Sequence, residues 1–331
     1  CQNLIYSTFI GGTSDDACYS LDLTSSNEVY VCGGTMSNNF PTTPGVMHPA
    51  FQGGSYDGFI THLNAAGTQF LQSSYIGTSG NDQVYILKLD KAGNVYCIGQ
   101  TTGAYPVSNG VYSNPNSGQF IAKIQPDLSA HIFSTIFGNG NGAPNISPTA
   151  FLVDTCENIY VAGWGTNSSD FTGFFNNMFN MPLSPDAMQT TTDGTDFYFF
   201  VLNKNAQNLL YASYFGGNGA IEHVDGGTSR FDKRGVIYEA ICAGCGGNSL
   251  TPTTPGVWSP TTQSVNCNEL GLKLAFNLSG THVVVDAHPR ATGCVPLTVQ
   301  FNSAGSSTQN LQWYFDDGNG SSLANPTHTF T

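Results

Sequence analysis

The chain repeats one short phrase four times, and this internal repeat restricts its fold more than any other feature. Each copy has Ser or Thr at its centre, then an aromatic or β-branched pair and a glycine. The four copies occupy residues 6–12, 72–78, 133–139 and 211–217. A repeat of this kind is one supersecondary unit that buries its apolar faces only against its neighbours. We therefore expect a fold built by stacking four similar units.

Three further phrases follow each copy in a fixed order. The first is a β-branched and aromatic strand (28–33, 94–99, 158–163, 236–240), the second is rich in proline (41–46, 106–111, 182–187, 252–257), and the third is a closing strand (58–63, 120–124, 197–202, 271–276). The leading prolines, at positions 41, 106, 182 and 252, are 65, 76 and 70 residues apart. A period near 70 with four short strands in each unit predicts radial or stacked β architecture.

The composition agrees with an all-β fold. Only 9% of the residues are charged, against about 25% in an average soluble protein. Aromatic residues make up 12%, and 39 Gly and 16 Pro supply tight turns. No segment shows the pattern of a long amphipathic helix. The chain is therefore predicted to be all-β.

Charge and cysteine content narrow the class of protein. The net charge of −13 argues against a nucleic-acid partner, because phosphate binding needs clustered Lys and Arg. No apolar run approaches the roughly 18 residues of a transmembrane helix, so the chain is not expected to span a membrane. Nine Cys and few Lys favour an extracellular or outer-cell-surface location, where some cysteines are oxidised.

The repeated phrases resemble the bacterial secreted β-propeller repeat (SBBP-type) family over about residues 4–278. Segments 161–165, 222–232 and 242–248 are similar to the variant found in Bacteroidetes surface proteins. The resemblance implies a β-propeller over 1–280, with four-stranded blades at about 4–67, 68–129, 130–207 and 208–278. It also implies a ring of about seven blades, so further blades are expected upstream of residue 1.

The character of the sequence changes near residue 281. The phrases at 296–299, 313–318 and 325–330 resemble the PKD domain, an immunoglobulin-like sandwich, over about 281–331. The segment ends before the last strand of that family, so a partial sandwich is expected.

The Cys242-x-x-Cys245 motif has the spacing of zinc sites and of thioredoxin-like redox sites. A second cysteine pair or two histidines are missing nearby in sequence, and so is a βαβ context. Structural disulfides are therefore the favoured interpretation. Cys267 is expected to pair with Cys242 or Cys245, because all three lie in one unit, and Cys156 is a further candidate.

Cys18 and Cys32 form a separate case. They occupy apolar positions on facing strands of one hairpin, where unit two has Val84 and Ile98. A cross-strand disulfide is one interpretation and two small buried apolar residues are the other.

Oxygen-rich turns recur along the chain, and calcium could occupy one of them, Asp316 and Asp317 being the best candidates. Tight turns also require Asp, Asn and Gly, so the pattern has an ordinary structural explanation. No other cofactor is indicated.

The sequence favours a non-enzymatic protein, since no Gly-x-Ser-x-Gly nucleophile elbow is present and no catalytic pair of carboxylates can be assigned from spacing. A propeller hydrolase or lyase with its site at the propeller axis stays open as an enzymatic alternative. We expect a structural or adhesion protein in which the propeller is a scaffold or binding platform and the PKD segment a spacer. The family resemblance implies export by the type IX secretion system. Expected partners are other segments of the same large protein, neighbouring chains, or a surface glycan or protein ligand. The alternative is a carbohydrate-binding or accessory module of a polysaccharide-degrading enzyme.

Overall fold

The computed structural model describes residues 4–166, 178–224, 227–276, 286–288, 295–303, 313–315 and 317–331. The chain divides into two compact units, residues 1–276 and 277–331. In the described part, the regular secondary structure is β-strand apart from one short 3₁₀ turn at Lys204–Ala206. It contains no helix long and apolar enough to cross a membrane.

Three four-stranded antiparallel sheets follow one another along the first unit, each with its strands in chain order. The first sheet contains β1 (Asp16–Leu23), β2 (Val29–Thr35), β3 (Asp57–Leu63) and β4 (Phe70–Ile76). The second contains β5 (Asp82–Leu89), β6 (Val95–Thr101), β7 (Gln119–Ile124) and β8 (His131–Phe137). The third contains β9 (Ser147–Val153), β10 (Ile159–Trp164), β11 (Phe197–Leu202) and β12 (Leu209–Phe215).

The fourth sheet has three described strands, β13 (Arg230–Phe231), β14 (Ile237–Ala243) and β15 (Asn268–Leu274). The second unit contains β16 (Asp286–His288), β17 (Leu297–Asn302), β18 (Trp313–Tyr314), β19 (Gly320–Ser321) and β20 (Thr327–Phe330). β17 lies between β16 and β20, and β18 pairs with β19.

The sheets pack face to face in chain order, as propeller blades do. One apolar core joins the first sheet to the second and includes Tyr30, Ile60, Leu87 and Phe120. A second core joins the second sheet to the third. The ring of Phe276, just after β15, lies 5.9 Å from Tyr160 of the third sheet.

The repeated phrase belongs to a different sheet from the one its position in the repeat suggests. The order of phrases predicts that it starts each unit, but residues 72–76 lie in β4, the last strand of the first sheet. The short turn after β3, with Gly67 at φ 65°, returns the chain directly alongside β3. The sheets therefore begin one strand later than the units drawn from the sequence.

Acidic and amide side chains accept backbone hydrogen bonds in the loops that lead into the first three sheets. The carboxylate of Asp82 accepts the backbone N–H of Thr78 at 2.7 Å, and Asn145 accepts that of Asn139 at 2.9 Å. Asp16 does the same for Gly12 at 2.8 Å. Several oxygen-rich turns of the sequence thus receive backbone donors.

Candidate functional site: the open faces of the first and fourth sheets

Each of the first three sheets presents a tyrosine to the sheet that follows it. Tyr30, Tyr96 and Tyr160 are the second residues of β2, β6 and β10, and all three are buried. The hydroxyl of Tyr30 donates to the carbonyl of Pro126 at 2.9 Å, and that of Tyr96 to Glu157 at 3.1 Å. Pro126 lies between β7 and β8 of the second sheet, and Glu157 lies between β9 and β10 of the third sheet. This tyrosine therefore marks the face of a sheet that receives the following sheet.

The same face of the fourth sheet is open within the described residues. Tyr238, the second residue of β14, is 38% exposed. A shallow cavity of about 430 Å³ lies over it, lined in part by Arg230 and Lys273. The Lys273 ammonium lies 5.4 Å from the centre of the Tyr238 ring. The fourth sheet therefore presents a receiving face that no described sheet of residues 4–276 covers.

The first sheet is open on its opposite side. Leu21 and Leu87 are both the sixth residue of the first strand in their sheets, yet Leu21 is 58% exposed and Leu87 is fully buried. Cys18 is likewise exposed, whereas Val84 at the same place in β5 is buried. Leu87 and Val84 belong to the core that joins the second sheet to the first. Leu21 and Cys18, their counterparts in β1, thus belong to the face by which a sheet packs on the sheet before it. This inserting face of the first sheet has no described partner.

The two open faces are complementary because they are the two sides of the same kind of junction between consecutive sheets. The first sheet exposes the surface by which the second sheet packs on its predecessor, and the fourth exposes the surface that receives a successor. The docking geometry is thus already present at the junctions between the first three sheets. Two different surfaces of one molecule make a head-to-tail contact rather than a two-fold symmetric one.

The edge of the fourth sheet is also open. All residues of β3, β7 and β11, the third strands of the complete sheets, are buried. Every residue of β15 is exposed or half-buried. No fourth strand lies beside β15 in the described part of the chain. Its unpaired backbone groups form a site for strand addition.

The first copy of the repeated phrase is unpaired as well. Residues 4–10 lie outside any strand, and Leu4, Ile5 and Phe9 are highly exposed. The other three copies form β4, β8 and β12, the fourth strands of their sheets. The chain therefore carries one exposed fourth-strand sequence and one sheet without a described fourth strand.

The cysteines considered from the sequence fall into two groups. Cys18 is exposed and Cys32 is buried, and neither is in a disulfide. A register shift in β1 places Cys18 opposite Gly33 and Ser20 opposite Cys32, so the two cysteines are not directly paired. Cys156 is exposed, in the turn between β9 and β10, and forms no disulfide.

The fourth sheet gathers the remaining cysteines. Cys245 and Cys267 form a disulfide, one of the two pairings expected from the sequence. The Sγ atom of Cys242 lies 3.8 Å from that of Cys245. His223, more distant in sequence, pairs with Cys242 through an isolated β-bridge. The proximity of His223 to the cysteines is not evident from the sequence, because the bridge joins residues 19 positions apart.

The proposed calcium turn is only partly described, since Asp316 lies outside the described residues. One carboxylate oxygen of Asp317 lies 2.7 Å from Nε2 of His328, and the other accepts the Asn319 backbone N–H at 3.0 Å. The His328 hydrogen bond lowers the pKa of Asp317. Protein groups thus contact both carboxylate oxygens of Asp317, and calcium binding stays a prediction.

Buried carboxyls at the sheet junctions were not identified from the sequence. Asp57 and Asp82 approach one another around Gly77 between the first two sheets. Burial raises the pKa of Asp57 to about 7 and also raises that of Asp82. At the third junction burial raises the pKa of Glu222 to about 7 and that of Asp196 to about 6. These groups lie within packed junctions rather than in an open cleft, which favours a structural role.

Comparisons with known proteins add little to this geometry. No family model matches the chain, and no curated protein matches it. Among solved structures the chain is similar to BamB from Moraxella catarrhalis, with 11% sequence identity and a TM-score of 0.22. That alignment covers 87% of this chain and 83% of the other.

Proposed function

We propose that the chain is a non-enzymatic structural module whose first and fourth sheets dock on further sheets of the same repeat. These sheets would belong to other segments of a longer protein or to a neighbouring chain. The observation that carries the proposal is the contrast between exposed Leu21 and buried Leu87 at equivalent positions. The exposed Tyr238 on the fourth sheet supports it from the other end.

The energetics favour docking over isolation. Burial of a Leu side chain stabilises by roughly 1.5–3 kcal/mol. Leu23 adds exposed apolar area two residues from Leu21 on β1. Contiguous apolar surface of this kind marks an interaction site in a soluble protein.

The wider assignment extends the family resemblance. In it, the docked sheets complete a propeller of about seven blades, residues 281–331 form a PKD-like spacer, and the protein is a secreted or cell-surface scaffold or adhesin exported by the type IX system. Loops at the sheet ends would bind the ligand, because loops on rigid scaffolds commonly do so. Protease treatment of intact source cells tests the location: a surface protein is cleaved without lysis, and an internal one is not.

Light scattering coupled to size-exclusion chromatography tests the docking proposal on the 331-residue chain. We expect association that increases with protein concentration, and Leu21→Lys should reduce it at least about tenfold by placing a charge in the contact. Met188→Lys is the matched control, because Met188 is similarly exposed but lies outside both open faces. A stable monomer at every concentration would refute the proposal.

Carbohydrate binding is the second candidate function. The cavity over the fourth sheet offers Tyr238 as a stacking surface, with Arg230 and Lys273 as hydrogen-bond donors. A glycan array with the full chain tests it, and Tyr238→Ala should abolish any binding found. Binding unaffected by that substitution would assign the glycan to another surface.

A further inference from the structure

Three potential metal ligands meet beside the fourth sheet, and a fourth is bonded to one of them. One ligand atom each from His223, Cys242 and Cys245 lies within 4.8 Å of the other two. The fourth group is Cys267, whose Sγ is bonded to that of Cys245. Three cysteines and one histidine form a common ligand set of structural zinc sites.

The backbone holds the first two ligands in place. His223 and Cys242 exchange both of their backbone hydrogen bonds, at 3.0 Å and 2.9 Å. Cys242 is near the end of β14, so its position is fixed by the sheet as well. A ligand pair on a paired backbone loses little conformational freedom when it binds a metal.

The spacing of the two nearest sulfurs suits a tetrahedral ion. Two thiolates at about 2.3 Å from one zinc, at the tetrahedral angle, lie about 3.8 Å apart. The Sγ atoms of Cys242 and Cys245 are 3.8 Å apart. The two residues between them match the short C-x₂-C loop of zinc sites.

The turn after Cys245 brings the last ligand back to the cluster. Gly246 and Gly247 have φ of 97° and 77°, in the left-handed region that favours glycine. The backbone N–H of Gly247 donates to the carbonyl of Asn266 at 3.1 Å. Because Cys267 follows Asn266, this backbone contact holds Cys267 near Cys245 in addition to the disulfide.

We propose that the chain, with these cysteines reduced, binds one Zn²⁺ through His223, Cys242, Cys245 and Cys267. Each cysteine releases one proton to solvent as its sulfur binds, and the imidazole binds in its neutral form. Three protons leave and no group changes oxidation state. Three thiolates and one Zn²⁺ leave the centre with a net charge of −1.

The disulfide is the oxidised alternative of the same residues. It employs two of the four groups, and the sulfur of Cys242 lies 3.8 Å from that of Cys245. Zinc employs all four. The two forms exclude one another because Cys245 and Cys267 must be thiolates to bind the ion.

The site has a structural role in this proposal. The fourth sheet has three described strands, and β13 contains only two residues. A bound ion would tie the segment before β13 to both ends of the loop between β14 and β15. Structural zinc supplies folding free energy in domains with a small core.

Metal binding by the full 331-residue chain tests the proposal. The protein is prepared metal-free and anaerobically with a phosphine reductant, then titrated with Zn²⁺ against a chromophoric chelator. We expect one equivalent of tightly bound zinc. Co²⁺ in its place should show the intense visible bands of a tetrahedral thiolate site.

Variants identify the ligands. Cys242→Ser and His223→Ala should each weaken zinc binding at least about tenfold, since even the loss of a ligand's outer hydrogen-bond partner costs 10–100-fold. Cys156→Ser is the matched control, because Cys156 is an exposed cysteine outside the cluster. It should bind zinc like the unchanged chain.

A second measurement keeps the test independent of variant folding. Zinc should slow alkylation of Cys242, Cys245 and Cys267 in the unchanged chain, as mapped by mass spectrometry, and leave Cys18 and Cys156 reactive. Failure of the reduced chain to retain zinc would overturn the proposal. Zinc retention without protection of those three cysteines would overturn it as well.

Discussion

The ammonium of Lys123 lies 2.9 Å from the carboxylate of Glu157 and so joins the second sheet to the connection between β9 and β10. Asp90 is a second partner of Lys123, at 3.0 Å. The Lys123 side chain is 8% exposed. Lys204 reaches the same Glu157 from the surface, at 2.6 Å, but its side chain is 58% exposed. The Glu157 carboxylate thus forms ion pairs with one buried ammonium, that of Lys123, and one exposed ammonium, that of Lys204.

Lys123→Met should destabilise the chain by about 2 kcal/mol, because it leaves the carboxylates of Asp90 and Glu157 in a partly buried site without the central cation. Lys204→Met is the control and should cost less than about 1 kcal/mol, since solvent screens an exposed pair. Urea unfolding at pH 7.5 measures both. Equal effects would mean that burial of the Lys123 ammonium contributes nothing.

The repeat was sufficient to predict the sheets but not their boundaries. The β-branched and aromatic phrases became β2, β6, β10 and β14, as expected from their composition. The phrase at 72–78 pairs backward with β3 because a short turn precedes it. Strand pairing follows from turn geometry, which the order of phrases within a repeat does not specify.

The candidate site was less accessible to sequence analysis because it depends on neighbours. Leu21 and Leu87 are the same residue at the same place in the repeat, and only the packing of sheets separates exposed from buried. The contact between His223 and Cys242 likewise depends on an isolated bridge. A comparison of equivalent repeat positions identifies the face, but not whether that face is covered.

The contribution of Asp57 to the free energy of unfolding should be more favourable at pH 5.5 than at pH 7.5. Burial raises its folded pKa to about 7 from 3.8. Between these values the folded state holds a proton that the unfolded state has lost, so the free energy of unfolding decreases as pH rises through that window. The slope is at most about 1.4 kcal/mol per pH unit for one group.

Asp57→Asn isolates this contribution. The variant should be more stable than the unchanged chain at pH 7.5, and the difference should shrink towards pH 5.5. Taking the difference cancels the opposite effect of His131, whose pKa burial lowers to about 4. Thermal unfolding of both proteins at three pH values measures it. A difference independent of pH would show that the Asp57 carboxyl is ionised throughout.

Residues 4–10 should contribute to self-association by adding a strand to β15. Ser7→Pro with Thr8→Pro should weaken association, because adjacent N–H groups point to opposite strand edges and one of the two must face the partner. Ser7→Ala with Thr8→Ala keeps both N–H groups and should associate like the unchanged chain. Light scattering over a concentration series compares them. If both double variants associate equally, residues 4–10 do not contribute and the sheet faces alone form the self-association interface.

The last prediction concerns the glycine that ends the repeated strand phrase. A Cβ on Gly99 would lie 2.2 Å from the backbone carbonyl oxygen of Gln83, beside the register shift in β5. Gly33 meets the carbonyl of Ala17 in the same way in the first sheet. Because the clash is with backbone, no side-chain rotation relieves it. Gly99→Ala should therefore destabilise the chain by about 3 kcal/mol.

Gly271→Ala is the matched control for that substitution. Gly271 is also a strand glycine, in β15, but a Cβ there would meet no atom within 4 Å. Its effect should stay within about 0.5 kcal/mol. Urea unfolding compares the two variants, and a Gly99→Ala chain as stable as Gly271→Ala would refute the steric explanation.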